Sequence, residues 1–183
     1  EGNKLARYIG TTDEPLCQEG TGFLKKMDYP EVQDIYVSPL KRCVQTAEIL
    51  FPGKPVHIIE ELAECDFGEF ENKNYKELEG NAKYQAWIDS GGQMMVPNGE
   101  SGAGFRHRCC RAYEQCVRDA QEKGAQRIAI VCHGGTIMSV LERYGRPEKS
   151  FYEWQIANGC GILTETIEEG GYHYGIREIG KWE

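Results

Sequence analysis

The sequence predicts an α/β fold of three layers, in which helices cover both faces of a mostly parallel central sheet. Residues 127–132 form a short, largely apolar run, which is typical of a strand buried on both faces. A glycine turn and the apolar residues 136–141 follow this strand and predict a helix. Before the strand, apolar or small residues recur with helical spacing over residues 105–123, and Gly124 is the expected stop. Helix, strand and helix in succession indicate the α/β class.

An earlier part of the chain repeats this order of elements. Residues 35–37 predict a short strand, and Ser38-Pro39 interrupts it with a proline just inside a helix start. Residues 41–50 predict that helix, and residues 56–59 predict the next strand. The two units therefore build the same sheet.

The C-terminal part of the chain predicts a β-hairpin. Residues 161–167 and 172–176 flank a glycine-rich turn, and we expect both to be edge strands. The least regular stretch is residues 72–104. A chain of 183 residues lies within the usual size of one domain, so we expect a single domain over residues 1–183.

The composition limits the classes of function. A formal net charge of -8 argues against a nucleic-acid partner, because a protein that binds phosphate backbones needs a basic face. No apolar run approaches the length that crosses a bilayer, so we expect no membrane insertion. The oligomeric state stays open.

The cysteines indicate a reducing compartment. No C-x-x-C pair occurs, and the spacing of the others does not match a zinc site. We therefore expect small buried thiols and a cytoplasmic protein. The opening residues lack the order of a signal peptide, although a processed mature chain would look the same. The eight cysteines are Cys17, Cys43, Cys65, Cys109, Cys110, Cys116, Cys132 and Cys160.

Three segments carry candidate site residues. His133 lies between a predicted strand and a helix, where open α/β sheets bind ligands, and a cationic imidazole there would attract anions. Arg42 falls in the first turn of a helix, and its planar fork suits bidentate contact with phosphate oxygens. The acidic residues 61–71 could supply a general acid whose pKa is raised by enclosure. The alternatives are a solvated loop histidine, a surface arginine and a solvated acidic face.

Five segments of the sequence form a recognisable order of motifs. They are Asn3 with residues 7–20, S-x-L-x-R-x-x-Q-T-A around Arg42, L-x-E-x-x-F-G-x-[WF]-E around Glu64, G-E-S at residues 99–101 and V-x-H-G-G at His133. Taken in this order, they resemble the histidine phosphatase (phosphoglycerate mutase-like) superfamily, and five motifs in order are far more specific than any one alone.

The resemblance implies covalent catalysis, in which a histidine on the first strand accepts the phosphoryl group and water later removes it. Arg42 resembles the arginine that clamps this group, and His133 resembles the second histidine, which polarises its oxygens. Glu64 resembles the acid that protonates the leaving oxygen. Asn3 and the backbone N–H of Gly134 resemble further phosphate contacts. The resemblance implies a small phosphorylated metabolite as the partner, and neither a metal nor another cofactor.

One part of the family pattern is absent. None of the four histidines lies in an R-H-G context, so the nucleophile and the first, central strand are missing from the sequence. We expect roughly ten further residues before Glu1, which is the length of a strand plus the motif. The alternative is a truncated, inactive homologue that binds phosphates or acts through interactions. The four histidines are His57, His107, His133 and His173.

The resemblance favours the phosphatases over the mutases. Phe67 stands where the mutases carry a tyrosine, and Ile9 where they carry a hydroxyl, although a phosphoglycerate mutase remains a second alternative. Within the phosphatases the chain looks most like the α-ribazole phosphatase branch, so α-ribazole 5′-phosphate is a candidate substrate.

Residues 72–104 are expected to form much of a lid over the leaving group, with an apolar wall or, equally, a satellite core. The expected wall is Tyr75, Tyr84, Trp87, Met94 and Met95, and the expected lid contacts are Gly10, Tyr75, Trp87, Glu100 and Ser101.

Overall fold

The computed structural model describes residues 2–169 and 172–182, with side chains for all of these except residues 3, 168, 169, 172, 173, 179, 181 and 182. Five α-helices lie in the described residues. They are α1 Gln18–Leu24, α2 Lys41–Leu50, α3 Ala82–Asp89, α4 Gly102–Glu122 and α5 Gly134–Tyr144. Short 3-10 turns occur at Gly2–Leu5, Glu60–Leu62, Gly68–Phe70 and Phe151–Trp154.

The strands of the described residues form two sheets of three strands each. They are β1 Asp34–Val37, β2 Val56–Ile58, β3 Ile128–Val131, β4 Gly145–Arg146, β5 Gly161–Glu169 and β6 Tyr172–Trp182. The first sheet has the order β2-β1-β3 and is parallel throughout, with Ile35 opposite both Val56 and Ala129. The second has the order β4-β6-β5, where β4 is parallel and β5 antiparallel to β6.

Strand β1 is covered by helices on both faces. Successive side chains of a strand point to opposite faces. Ile35 and Val37 accordingly pack with Ala47 of α2, whereas Tyr36 packs with Cys116 of α4. The predicted three-layer α/β arrangement is confirmed, with the apolar run of β1 at its centre.

Helix α4 is confirmed, but it begins at Gly102, three residues before its predicted start. Ser101 is the N-cap, and its hydroxyl accepts a hydrogen bond from Gly104 N. Gly124 has φ 71°, a left-handed conformation that glycine adopts without steric cost. The helix therefore stops at Glu122, one residue before the predicted end.

The structure corrects two details of the predicted elements. Strand β6 lies between β4 and β5, so only β5 of the hairpin is an edge strand among the described strands, because the short β4 adds a parallel pair. Helix α2 begins at Lys41 after Leu40, which is extended (φ -72°, ψ 136°). Pro39 therefore precedes the helix and does not lie in its first turn.

Strand β3 is less covered than its apolar sequence predicts. All four of its residues are half-buried. Within the described residues it pairs with β1 on one side only, and no strand adjoins its other edge. The free edge of β3 explains the exposure of a strand that was expected to be buried on both faces.

The stretch 72–104 contains α3 and a satellite core. Phe70, Leu78, Tyr84 and Val96 are buried together, and Trp87 packs against them. In the part of the chain that the structure describes, no helix combines the length and the apolar character needed to cross a membrane.

Candidate active site

The parallel pairing of β1 and β3 places Ser38 beside His133. Val37 lies opposite Val131, so the residues that follow the two strands meet at the carboxyl edge of the sheet. Ser38 Oγ lies 2.7 Å from His133 Nε2, and both side chains are buried. This edge is where open α/β sheets bind their ligands.

His133 is a neutral N-cap of α5. Arg42 Nε donates to His133 Nδ1 over 3.3 Å, and a guanidinium can only donate. Nδ1 is therefore an acceptor, which assigns the ring proton to Nε2, where it is donated to Ser38 Oγ. Burial, and then the charges of Arg42 and Arg108, lower the pKa of His133 from 6.5 to about 3. The expected cationic imidazole is thus corrected: the ring is neutral at neutral pH, because a cation here would lose its hydration next to a guanidinium.

The depressed pKa of His133 makes the fold sensitive to acid. Below pH 6.5 the unfolded chain binds a proton at this ring, whereas the folded protein does so only near pH 3, so stability is lost as the pH falls. One pKa unit corresponds to about 1.4 kcal/mol, which gives a loss of about 5 kcal/mol from this group. We expect His133→Gln to lose less unfolding free energy than the native protein between about pH 7 and pH 4, measured by urea denaturation. Equal losses in both proteins would contradict the assignment.

Arg42 projects from α2 into the same space as His133. Its Nη1 donates to the carbonyl of Thr12 (2.9 Å), and its Nη2 donates to the carbonyls of Gly10 (3.1 Å) and Ile9 (3.3 Å). Four acceptors, counting His133, thus occupy a group with five N–H donors. The predicted location of Arg42 in the crevice agrees with the structure. Bidentate contact with phosphate requires that at least one of these carbonyls be displaced.

Glu64 faces the N-terminal turn of α5. Its Oε1 accepts from Cys65 N (2.9 Å) and its Oε2 from Gly135 N (3.1 Å). A Cβ at Gly135 would overlap Glu64 Oε1 and lie 3.0 Å from Phe105, so only glycine permits this approach. Burial raises the pKa of Glu64, and this effect outweighs the two N–H donors and the charge of Arg42, which lower it. The carboxyl group therefore keeps its proton to a higher pH than a free glutamate, as a general acid requires.

Arg108 of α4 holds the segment that carries Glu64. Its Nη1 donates to the carbonyls of Glu61 (2.7 Å) and Ala63 (2.9 Å), and its Nη2 to the carbonyl of Glu64 (3.3 Å). Its Nε and Nη2 also bond the two carboxylate oxygens of Glu100 at 3.0 and 2.8 Å. Glu100, an expected lid residue, therefore reaches the site through Arg108, and its contact with a leaving group stays a prediction.

The other predicted phosphate contacts are Gly134 and Asn3. Gly134 is the exposed first residue of α5, beside His133. The side chain of Asn3 lies outside the described residues, so its role stays a prediction.

The remaining predicted lid residues have separate locations. Gly10 lies against Arg42 and the segment after Glu64, where a Cβ would overlap the carbonyl oxygen of Cys65. Ser101 caps α4, and Tyr75 is 60% exposed.

The residues of the expected apolar wall also lie in separate places. Trp87 and Tyr84 belong to the satellite core, whereas Met94 and Met95 are exposed. The satellite-core alternative therefore holds for the first pair. Substrate contact by any of these residues stays a prediction.

Three residues of the site were not predicted. Ser38 was predicted as a break and as the first letter of a motif, without a role, although its position at a strand end in the sheet that carries His133 could have identified it. Glu71, which accepts from Gly10 N and Thr11 N beside Arg42, was likewise only the last letter of a motif. Arg108 gave no signal, because a charge on a helix is usually solvated. Their partners are fixed only by the tertiary fold.

The cysteines and the acidic groups do not assemble a metal centre in the described residues. All eight cysteines lie within the described ranges and are free thiols. Burial raises the pKa of Cys43 to about 12, so this thiol stays protonated beside the His133 ring, 3.5 Å from Nε2.

The fold and the site together define a protein that holds a phosphoryl group or a similar anion. An arginine, a histidine and a carboxyl group of raised pKa surround the N-terminus of a helix at the carboxyl edge of a parallel sheet. The chain belongs to the histidine phosphatase superfamily, branch 1, whose family model matches residues 1–175. The predicted family is thereby confirmed.

Relatives and solved structures agree with this assignment. The adenosylcobalamin/alpha-ribazole phosphatase of Salmonella typhimurium is 27% identical over 92% of this chain and 86% of the relative. The crystal structure of the alpha-ribazole phosphatase from Shigella flexneri superposes with a TM-score of 0.77 at 28% identity, covering 92% of this chain and 86% of that one. Phosphoglycerate mutase from Thermus thermophilus, at 21% identity and a TM-score of 0.69 over 99% of this chain and 91% of that one, shares the fold.

Proposed function

We propose that this protein hydrolyses a small phosphate monoester through a phosphohistidine intermediate and without a metal ion. The observation that carries the proposal is the convergence of Arg42, His133 and Glu64 on the N-terminal turn of α5. Fixed donors around one small volume suit the spread negative charge of a phosphoryl group in its transition state.

Arg42 and His133 hold the phosphoryl oxygens. A phosphate oxygen that replaces one of the backbone carbonyls on Arg42 exchanges a neutral acceptor for a charged one, which adds the attraction between opposite charges. A bound dianion also favours the protonated form of His133, which is neutral in the unliganded site. The ring then donates from both of its nitrogens.

Glu64 transfers the protons. In the first step a histidine nitrogen attacks phosphorus, the ester P–O bond breaks, and the protonated Glu64 gives its proton to the leaving oxygen. In the second step the Glu64 carboxylate takes a proton from water, the water oxygen attacks phosphorus, and the N–P bond breaks. The raised pKa of Glu64 supports the first of these roles.

The accepting histidine is proposed to lie on a strand that pairs with β3. The free edge of β3 and its four half-buried residues support a further strand between the two sheets. A residue that follows such a strand would emerge at the same carboxyl edge as Ser38 and His133. This placement would bring the nucleophile to the oxygens held by Arg42.

The proposed substrate is α-ribazole 5′-phosphate. The support is that two relatives, from Salmonella typhimurium and Shigella flexneri, are alpha-ribazole phosphatases, and each is matched over 92% of this chain. The mutase from Thermus thermophilus is only 21% identical to this chain, so its similarity supports the fold and not the substrate.

Trapping of the phosphoenzyme tests this function. The protein is mixed with α-ribazole 5′-[³²P]phosphate and quenched in alkali, in which phosphohistidine survives. We expect label on one histidine of the protein and no label in Arg42→Ala. Label on a serine or threonine, or turnover without any labelled intermediate, would contradict the mechanism. Interconversion of phosphoglycerates without release of phosphate would favour a mutase.

A further inference from the structure

The loop of residues 9–12, termed the 9–12 loop, is held by one carboxylate. Oε1 of Glu71 accepts hydrogen bonds from Gly10 N and Thr11 N, both at 2.9 Å. Oε2 of Glu71 accepts from the hydroxyl of Thr12 at 2.8 Å. Oε1 also accepts from Phe67 N at 3.3 Å. The carboxylate thus accepts four hydrogen bonds, three of them from the 9–12 loop, whereas a glutamate on the surface is usually solvated.

The opposite side of the same loop holds Arg42. The carbonyls of Ile9, Gly10 and Thr12 accept from its Nη atoms. The Ile9 carbonyl and the Gly10 N–H belong to one peptide group, and the Gly10 carbonyl and the Thr11 N–H belong to the next. Each group therefore donates to Glu71 at one end and accepts from Arg42 at the other.

Two peptide dipoles thus lie between an anion and a cation. Each dipole is about 3.5 D, and its positive N–H end faces Glu71 while its negative carbonyl end faces Arg42. A carboxylate on the N–H side polarises the peptide and makes its carbonyl a better acceptor. Gly10 packs so closely against the carbonyl oxygen of Cys65 that there is no room for a Cβ, and this contact restricts movement of the loop.

We propose that Glu71 is a positioning residue that orients Arg42 through the 9–12 loop. The inference rests on the proposed function, because Arg42 is taken as the group that holds the phosphoryl oxygens. With Nε on His133 and both Nη atoms on carbonyls, the plane of the guanidinium is fixed before a ligand arrives. A pre-oriented group loses less conformational freedom on binding.

A charge-matched comparison tests the proposal. Glu71→Gln keeps the size of the side chain but removes its charge and one of its acceptors. The control is Glu69→Gln, two residues away, whose carboxylate pairs with Lys83 on the surface. Both variants change the net charge equally. We expect inorganic phosphate to bind about tenfold more weakly to Glu71→Gln than to Glu69→Gln in isothermal titration calorimetry.

Two further measurements separate positioning from a general loss of structure. Side-chain ¹⁵N NMR should show separate, slowly exchanging Nη signals of Arg42 in the native protein and in Glu69→Gln, and averaged signals in Glu71→Gln. In an Arg42→Ala background, Glu71→Gln should weaken phosphate binding no further, because residues that act through one group are not additive. Thr12→Val, which removes one hydroxyl donor and no charge, should weaken binding in the same direction by less.

The possible outcomes distinguish a failure of the proposed function from a failure of the role of Glu71. If Arg42→Ala leaves phosphate binding unchanged, the proposed function fails at its site. If Arg42→Ala weakens binding but Glu71→Gln equals Glu69→Gln, only the role of Glu71 is overturned. Tighter binding by Glu71→Gln would overturn it too, because the loop carbonyls would then compete with phosphate instead of orienting the arginine. Should Glu71→Gln not fold, Thr12→Val carries the test, and native affinity in that variant overturns the proposal.

Discussion

Arg42→Ala is expected to lower kcat/KM for phosphate-ester hydrolysis by roughly three orders of magnitude, a loss typical of a donor that stabilises transition-state charge. The substitution removes the guanidinium and leaves the carbonyls of Gly10 and Thr12 without this partner. It also removes a cation that lowers the pKa of His133, so the imidazole becomes easier to protonate. Initial rates on α-ribazole 5′-phosphate measure the effect.

The matched control is Arg111→Ala, an exposed arginine on α4. It should retain the native kcat/KM, and both variants should unfold at a similar temperature. Arg42→Lys should fall between the two, since an ammonium keeps the charge but lacks the planar fork. Native activity in Arg42→Ala would exclude this arginine from the reaction.

Glu64→Gln is expected to lower kcat/KM by roughly 10²- to 10⁴-fold for an alkyl phosphate ester, the usual contribution of a general acid. The loss of kcat/KM should be much smaller for p-nitrophenyl phosphate, because kcat/KM reports the steps up to formation of the phosphoenzyme and this leaving group needs little protonation. Because burial raises the pKa of Glu64, the native kcat/KM for the alkyl ester should fall as the pH rises through that pKa. The variant should lack this alkaline limb.

Glu60→Gln, an exposed neighbour of the same segment, serves as the control for Glu64→Gln. It should keep both the native rate and the native pH profile. An equal loss of kcat/KM on the alkyl and the p-nitrophenyl ester would exclude Glu64 as the acid that protonates the leaving oxygen.

The elements of the first sheet were predictable because their sequence signals are local. The apolar runs of β1 and β3, the spacing in α4 and Gly124 after it depend only on neighbouring residues. The place of β6 between β4 and β5 was not predictable, since β4 has only two residues and no pattern of its own. Its pairing arises from the tertiary fold.

The candidate site, too, was predictable only where its residues lie in local motifs. Arg42, Glu64 and His133 were found because each lies in a motif, and the structure brings them together. The charge state of His133 was not predicted correctly, because it depends on burial and on a guanidinium from another element. The hydrogen bonds of Glu71 to the 9–12 loop join residues about sixty positions apart. Both segments lie in family-like motifs, but neither motif indicates that the two are in contact.

The free edge of β3 also bears on how the molecules behave toward one another in solution. In the described part of the chain no strand pairs with the outer edge of β3, so this edge, with the partly exposed Ile128, Ile130 and Val131, offers a template on which a second polypeptide can add a strand. Natural sheets protect such edges with charges, prolines or covering segments. Here the four residues of β3 carry neither charge nor proline. Any form of the protein in which this edge stays uncovered is therefore prone to aggregate through it.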